Sequence, residues 1–412
     1  MRVLLSTIGS RGDVQPLVAL AVHLKSQGHG VRLCAPPDFR EWIESLGLQV
    51  TPIGPEVRRF AAARPMSAQP TTSLTAEQRQ QLADATVATQ FETIADAAKG
   101  CDVIVAATAL QIAARSIAEK MRIPYVFAAY AATVLPSPHH PPPALPPLPG
   151  QTAPSTNDNR ELWARDAARF NDLFGPALNR HRAALGLAPV TDTRSHVLTD
   201  RPWLAADPTL GPWPDQADDR VFQPGAWILQ DERPLSSDLL AFIENGAPPI
   251  YFGFGSTRAP QDAGQSMLQA ARALRRRAIV SQGWFDASLV DNEADCLSIG
   301  EVNVHALFPR VAAVVHHGGA GTTTAAALAG APQVVVPHHY DQPYWARQVE
   351  RLGIGVAHAT AIPSADSLTR ALEQTLDRNV AARAKSIAKA VRRDGVETAA
   401  RQLTHRGIMS GC

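Results

Sequence analysis

Residues 311–345 read VAAVVHHGGAGTTTAAALAGAPQVVVPHHYDQPYW, and no other stretch constrains the fold as much. An apolar run at 311–315 has strand character and leads directly into His316, His317, Gly318, Gly319, Ala320, Gly321, Thr322 and Thr323. The spacing predicts a small-residue helix over 324–328, stopped by Gly330, and a second strand over 333–336. A glycine-rich turn at the carboxyl end of a strand is where a doubly wound sheet holds its ligand. Glycines let the backbone approach closely, and the first N–H groups of a helix attract an anion. Two histidines and three hydroxyls add donors for phosphate oxygens, so the turn reads as a diphosphate cradle.

The chain of 412 residues is long enough for two domains, each with its own core. Its 45% apolar and 19% charged residues are a globular composition, and a net charge of +1 gives no sign of nucleic-acid binding. Arg275, Arg276 and Arg277 read as a solvated helix end. Cys34, Cys101, Cys296 and Cys412 show no CxxC spacing, which leads us to expect reduced thiols in a cytoplasmic protein. Val3, Leu4 and Leu5 form too short an apolar run for a signal peptide, and no stretch reaches the roughly 18 apolar residues that span a bilayer.

In the N-terminal half, strand character at 2–5 ends in Ser6, Thr7, Ile8, Gly9, Ser10, Arg11, Gly12 and Asp13. Val14, Leu17, Val18, Ala21 and Leu24 then recur on one helical face, closed by Gly28. Further strands are expected at 31–35, 102–106 and 125–128, with a helix over 110–121; this alternation argues for a mainly parallel sheet. Eight prolines at 136–150 mark an extended surface loop, either a functional lid or a tolerated insertion. After a Pro-, Asp- and Trp-rich stretch, strands recur at 249–254, 278–281, 296–299, 311–315 and 333–336, with a helix over 266–276 and a helical tail over 381–402.

These segments resemble family 1 nucleotide-sugar-dependent glycosyltransferases of GT-B architecture. The bacterial and fungal branch that glycosylates sterols, glycopeptides and other natural products is the nearest. The resemblance covers nearly the whole chain and is weak only between residues 55 and 100. It implies an α/β fold of two Rossmann-like doubly wound domains facing a cleft. Residues 1–215 would bind the acceptor, 216–234 would link, and 235–395 would bind the nucleotide sugar. A helix at 396–412 would pack back on the first domain.

The resemblance also assigns residues. His317, Gly319, Gly321 and Thr322 would hold the diphosphate, and Asp341 and Gln342 the sugar hydroxyls. Ser256 or Thr257 would reach the β-phosphate, unless they cap the next helix. The backbone of Val302 would meet the base, with Ile299 where many relatives stack a tryptophan and Ala325 where plant enzymes carry a ribose-binding glutamate. Asp13 would take the acceptor's proton; it is equally placed to cap the following helix, whose start would lower its pKa. Arg11 would reach the diphosphate or stand as a surface charge, and the alternative for Asp341 is a cap on the helix that follows. His316, His317, His338 and His339 do not form a zinc set, because adjacent histidines diverge and no Cys or paired carboxylate completes them.

The implied activity is inverting transfer of a hexose from a UDP- or dTDP-sugar to a hydroxyl of a lipophilic acceptor (sterol, polyketide, phenolic or glycopeptide). The donor is a co-substrate, and no metal, other cofactor or nucleic acid is called for. The acceptor pocket is expected near Tyr130, Thr133 and the proline loop, and a lipophilic acceptor is compatible with peripheral membrane contact. A catalytically silent auxiliary homologue and a sugar-nucleotide epimerase remain as alternatives. A nicotinamide dehydrogenase fits poorly, since neither turn reads GxGxxG with an acidic residue about twenty positions on.

Overall fold

The computed structural model describes residues 1–58, 75–143, 156–215, 217–255, 263–283 and 293–409. The chain divides into two compact units. The first comprises Met1–Ala206, Pro212–Leu229 and Arg393–Cys412, the second Asp207–Gly211 and Gln230–Arg392.

The first unit is built on six parallel strands: β1 (Arg2–Thr7), β2 (Gly30–Ala35), β3 (Gln49–Pro52), β4 (Val103–Ala107), β5 (Tyr125–Ala129) and β6 (Trp203–Leu204). Their order is β3-β2-β1-β4-β5-β6. The second unit repeats this winding with β7 (Ile250–Gly253), β8 (Ala278–Ser281), β9 (Cys296–Ile299), β10 (Ala313–His316), β11 (Gln333–Val335) and β12 (Gly355–Ala357), ordered β12-β11-β10-β7-β8-β9. In each sheet the strand order reverses once, between β1 and β4 and between β7 and β10. Those two reversals are where a doubly wound sheet opens a crevice at its carboxyl edge.

Central strands are covered on both faces, which is why they read as unbroken apolar runs. Val3, Leu4, Leu5, Ser6 and Thr7 of β1 are all buried, as are all four residues of β10. The helix Arg11–Ser26 covers β1 with Val14, Leu17, Val18, Ala21 and Leu24. Each of these buried Val and Leu side chains contributes about 1.5–3 kcal/mol relative to exposure. Gly28, at φ 80°, ends the helix as its position predicts.

Some elements differ from their expected bounds. The helix expected over 110–121 begins only at Ala114, after a turn in which Thr108 adopts φ 74°. The helical tail is two helices, Arg378–Ala388 and Gly395–Met409. The second starts where Gly395 lies flat against the backbone of Gly225 and Ala226, with no room for a side chain. Residues 212–229 pack with the first unit, burying Trp213 and Trp227. The described start of the proline loop is pinned to the helix Asn159–Ala184: His140 O accepts from Trp163 Nε1 at 2.9 Å, and Pro138 O from Asn159 Nδ2 at 2.8 Å. Residues 144–150 of that loop lie outside the described residues. No helix among the described residues is long and apolar enough to cross a membrane.

Candidate active site

The glycine turn of the second unit follows β10. His316 is fully buried, and its Nδ1 accepts the Gly318 N–H at 3.0 Å. Its proton therefore sits on Nε2, which donates to Gln333 Oε1 at 2.9 Å. Burial pushes the His316 pKa down to about 4, so the ring is a neutral staple that shapes the turn. Gly318 needs its glycine: φ is 91°, and a Cβ would stand 2.7 Å from Val335 Cγ1.

His317 faces the opposite way. Its Nδ1 is buried without a hydrogen-bond partner. Burial, then the neighbouring His316, His338 and His339, push its pKa down to about 3 against an opposing hydrogen bond to the Gly253 backbone, and keep it neutral. Gly319 caps the helix Ala320–Leu328 without a side-chain bond, and Thr323 N is the first amide to find a helical carbonyl, on Gly319 at 3.0 Å. The N–H groups of Ala320, Gly321 and Thr322 are thus left for a ligand. The Thr323 and Thr324 hydroxyls fold back onto Gly319 O and Ala320 O, at 3.0 and 2.8 Å. The helix starts four residues earlier than expected, because burial from Thr323 to Leu328 overrides the weak propensity of Gly and Thr.

After β11 the chain passes His338, His339 and Tyr340 (φ 56°) to Asp341 and Gln342. Gln342 Oε1 accepts the N–H groups of His338 at 2.8 Å and His339 at 3.2 Å, shaping the loop, and no bond among the described residues engages its amide nitrogen. Asp341 stands at the N-cap of the helix Gln342–Arg351, but its side chain makes no cap bond. Its Oδ2 accepts from Trp345 Nε1 at 3.0 Å instead. Replacing Trp345 by Phe keeps an aromatic ring at this buried position, though a smaller one, and removes that donor. We expect kcat/KM for the donor sugar to fall by about 5- to 10-fold, with little change in nucleotide affinity, read from steady-state kinetics.

Ile299 ends β9 and, with Val302, packs half-buried against the core. Asn303 fixes this corner, its Nδ2 donating to Asp231 O at 2.6 Å and Arg233 O at 3.0 Å. Ser256 and Thr257 lie outside the described residues; Gly255, before them, sits with its Cα facing the His317 ring. Among the described residues no group of three or more His, Cys, Asp or Glu is arranged to hold a metal ion.

In the first unit the turn after β1 carries Asp13. The N-cap of the helix Arg11–Ser26 is Ser10, and Asp13 is the third helical residue, the acid of a capping box. Its Oδ2 accepts from Ser10 N at 2.6 Å and Ser10 Oγ at 3.1 Å, while no bond among the described residues engages Oδ1. Gly9 (φ 141°) permits this approach, since a Cβ there would collide with the Asp13 carboxylate. The Asp13 carbonyl accepts two further bonds, from Thr7 Oγ1 and Tyr130 OH, each 3.2 Å.

Although Asp13 keeps some exposed surface, loss of hydration raises its pKa to about 6, against the lowering effect of the two Ser10 bonds. The expectation that the helix start would lower it is corrected: desolvation outweighs it. Arg11 stacks on the Trp42 ring at 3.6 Å and donates from Nε to Gln15 Oε1 at 2.9 Å. Sequence reasoning missed Trp42 and Thr108. Thr108 Oγ1 donates to Ile8 O at 3.2 Å, tying the turn after β4 to the turn after β1.

Both turns thus lie at a strand-order reversal, one presenting a carboxylate and the other a neutral imidazole beside open amides. Residues 3–136 match the glycosyltransferase family 28 N-terminal domain, and residues 286–398 the erythromycin biosynthesis protein CIII-like C-terminal domain. The vancomycin aglycone glucosyltransferase of Amycolatopsis orientalis is 48% identical over 409 residues, spanning 98% of this chain and 97% of that enzyme. The chain belongs to the GT-B glycosyltransferases. This glycosyltransferase is also 42% identical over 395 residues to the dTDP-epi-vancosaminyltransferase of the same organism, covering 94% of this chain and 93% of that one. Among solved structures, the spinosyn forosaminyltransferase SpnP matches with a TM-score of 0.71 over 99% of both chains at 17% identity. VinC, crystallised with dTDP, matches with a TM-score of 0.68 over 95% of both at 20% identity. At such identities these two likenesses bear on the fold, two parallel-sheet Rossmann-like units.

Proposed function

We propose that this glycosyltransferase moves a hexose from a UDP- or dTDP-sugar, with inversion, to a hydroxyl of a lipophilic natural product. The observation that carries the donor reading is His317 Nδ1, buried without a partner at a glycine turn whose helix leaves three amides open. A departing nucleoside diphosphate gains negative charge, and preorganised donors are worth most where that charge grows. Asp341 and Gln342 hold the sugar. Asp13 Oδ1 takes the acceptor hydroxyl proton; the oxygen bonds to the anomeric carbon opposite the diphosphate, and the carbon–oxygen bond to the β-phosphate breaks. The names of the relatives support a glycopeptide aglycone as the acceptor class. Sugar nucleotides and the buried free thiols Cys34 and Cys101 suit a cytoplasmic setting.

Titration calorimetry with UDP, dTDP and GDP tests the donor site. Replacing His317 by Ala is expected to weaken UDP or dTDP binding by about 10- to 100-fold. Equal binding by wild type and variant would place the diphosphate elsewhere, and UDP-sugar turnover without acceptor would favour the epimerase reading.

A further inference from the structure

We propose that His338 is a second diphosphate-binding imidazole of this enzyme, facing the same anion as His317. The inference rests on the donor-site reading above and extends it to a residue outside the glycine turn. Three neighbouring strands bring the groups together. His316 of β10 is in register with Gly253 of β7 and with Val335 of β11. Phe254 and His317 each lie one residue past that register and His338 three residues past it, so all three leave the carboxyl edge of the same sheet, near the reversal between β7 and β10.

The His338 ring stands edge-on against Phe254, with centroids 5.9 Å apart and planes at 89°. Neither of its buried ring nitrogens forms a well-aligned hydrogen bond, the Val336 backbone alone lying close enough to favour its charged form, and Nδ1 of His317 is likewise buried without a partner. Native proteins rarely leave three such atoms unmet in one place. If His338 served only to fill space against Phe254, a phenyl ring would do so without burying two polar atoms. Its backbone is already committed, since its N–H donates to Gln342 Oε1 at 2.8 Å. The ring, met by the protein only at the Val336 backbone, is the part of the residue left to serve a ligand.

Its electrical surroundings point to an anion. The titratable groups around the pair are His316, His317 and His339, all imidazoles. The nearest carboxylate in the loop, Asp341, is engaged by Trp345. Burial lowers the His338 pKa, and His339 lowers it further, so the ring is held toward its neutral form. A diphosphate placed against it would favour the charged form, so donor binding should draw a proton from solution. A neutral ligand would draw none.

Calorimetry on the full-length enzyme, in buffers of different ionisation enthalpy, tests this with dTDP and UDP against TMP and UMP. The His338→Phe variant keeps the ring packing. It should melt at the wild-type temperature without nucleotide and bind the diphosphates about 10- to 100-fold more weakly. Monophosphate affinity should stay within about threefold, and the proton taken up per diphosphate should fall. Diphosphate binding unchanged in His338→Phe, or mono- and diphosphate binding reduced alike, would overturn the proposal. If wild type binds dTDP or UDP and only His317→Ala loses it, His338 has no such role and the donor site stands. If wild type binds no nucleoside diphosphate, both readings fall together.

Discussion

Replacing Asp13 by Asn should lower kcat/KM by about 10²- to 10⁴-fold while leaving the fold and donor binding in place. The amide is isosteric, and its oxygen can still accept the Ser10 N–H that Asp13 Oδ2 accepts at 2.6 Å. The first helix therefore keeps its capping geometry, worth about 1 kcal/mol. What the amide cannot do is accept a proton. The carboxyl pKa, raised by burial to about 6, leaves Asp13 ionised at neutral pH yet a better base than an ordinary carboxylate. Its pKa also sets a visible limb. Wild-type kcat/KM should fall about tenfold per pH unit below about 6, and the Asn variant should lack that limb. Activity that stays flat from pH 7 to pH 5, or an Asn variant within about tenfold of wild type, would remove Asp13 from the base role.

The positions of both turns were legible in the sequence, while their environments were not. Asp13 and His317 announce themselves because each follows a short apolar run and a glycine turn, and the parallel winding puts both at a strand-order reversal. That Ser10 rather than Asp13 caps the helix follows from their capping-box spacing once the helix start is known, whereas the burial that raises the Asp13 pKa is a tertiary fact with no local signature. The paired histidines show the same limit. Sequence says that His316 and His317 diverge; the register of β10 with Gln333 decides which one is buried in the core. Trp345 could have been found, since it lies one helical turn from Asp341 and four-residue spacing on a helix brings side chains together. The strands β3, β6 and β12 are two to four residues long, at the sheet edges, and periodicity cannot register so short a run.

Mild acid should destabilise the second unit much more than the first. His316 is buried and neutral in the second unit with a pKa of about 4, and His317 follows at about 3. In the unfolded chain each would titrate near 6.5. Between those values the unfolded chain binds more protons than the folded one, so stability is present above pH 6.5 and is lost as pH falls. The loss is about 1.4 kcal/mol per pH unit for each histidine. The first unit carries one comparable group, His196, with Nε2 3.0 Å from Ser116 Oγ and a pKa held near 4 by burial. Asp13 opposes it there: its folded pKa is raised from 3.8 to about 6, so its penalty at neutral pH is relieved as pH falls through 6. The two slopes nearly cancel in the first unit and add in the second. Hydrogen exchange read separately on the two units at pH 7.5, 6.5 and 5.5 should show second-unit protection falling by about 3 kcal/mol per pH unit below 6.5. First-unit protection should be almost level. His316→Gln should cost stability at pH 7, because Gly318 N–H and Gln333 lose their partner, and should flatten the second-unit slope by about 1.4 kcal/mol per pH unit. A second unit whose protection holds steady from pH 7 to pH 5 would mean that His316 and His317 are not buried as neutral rings.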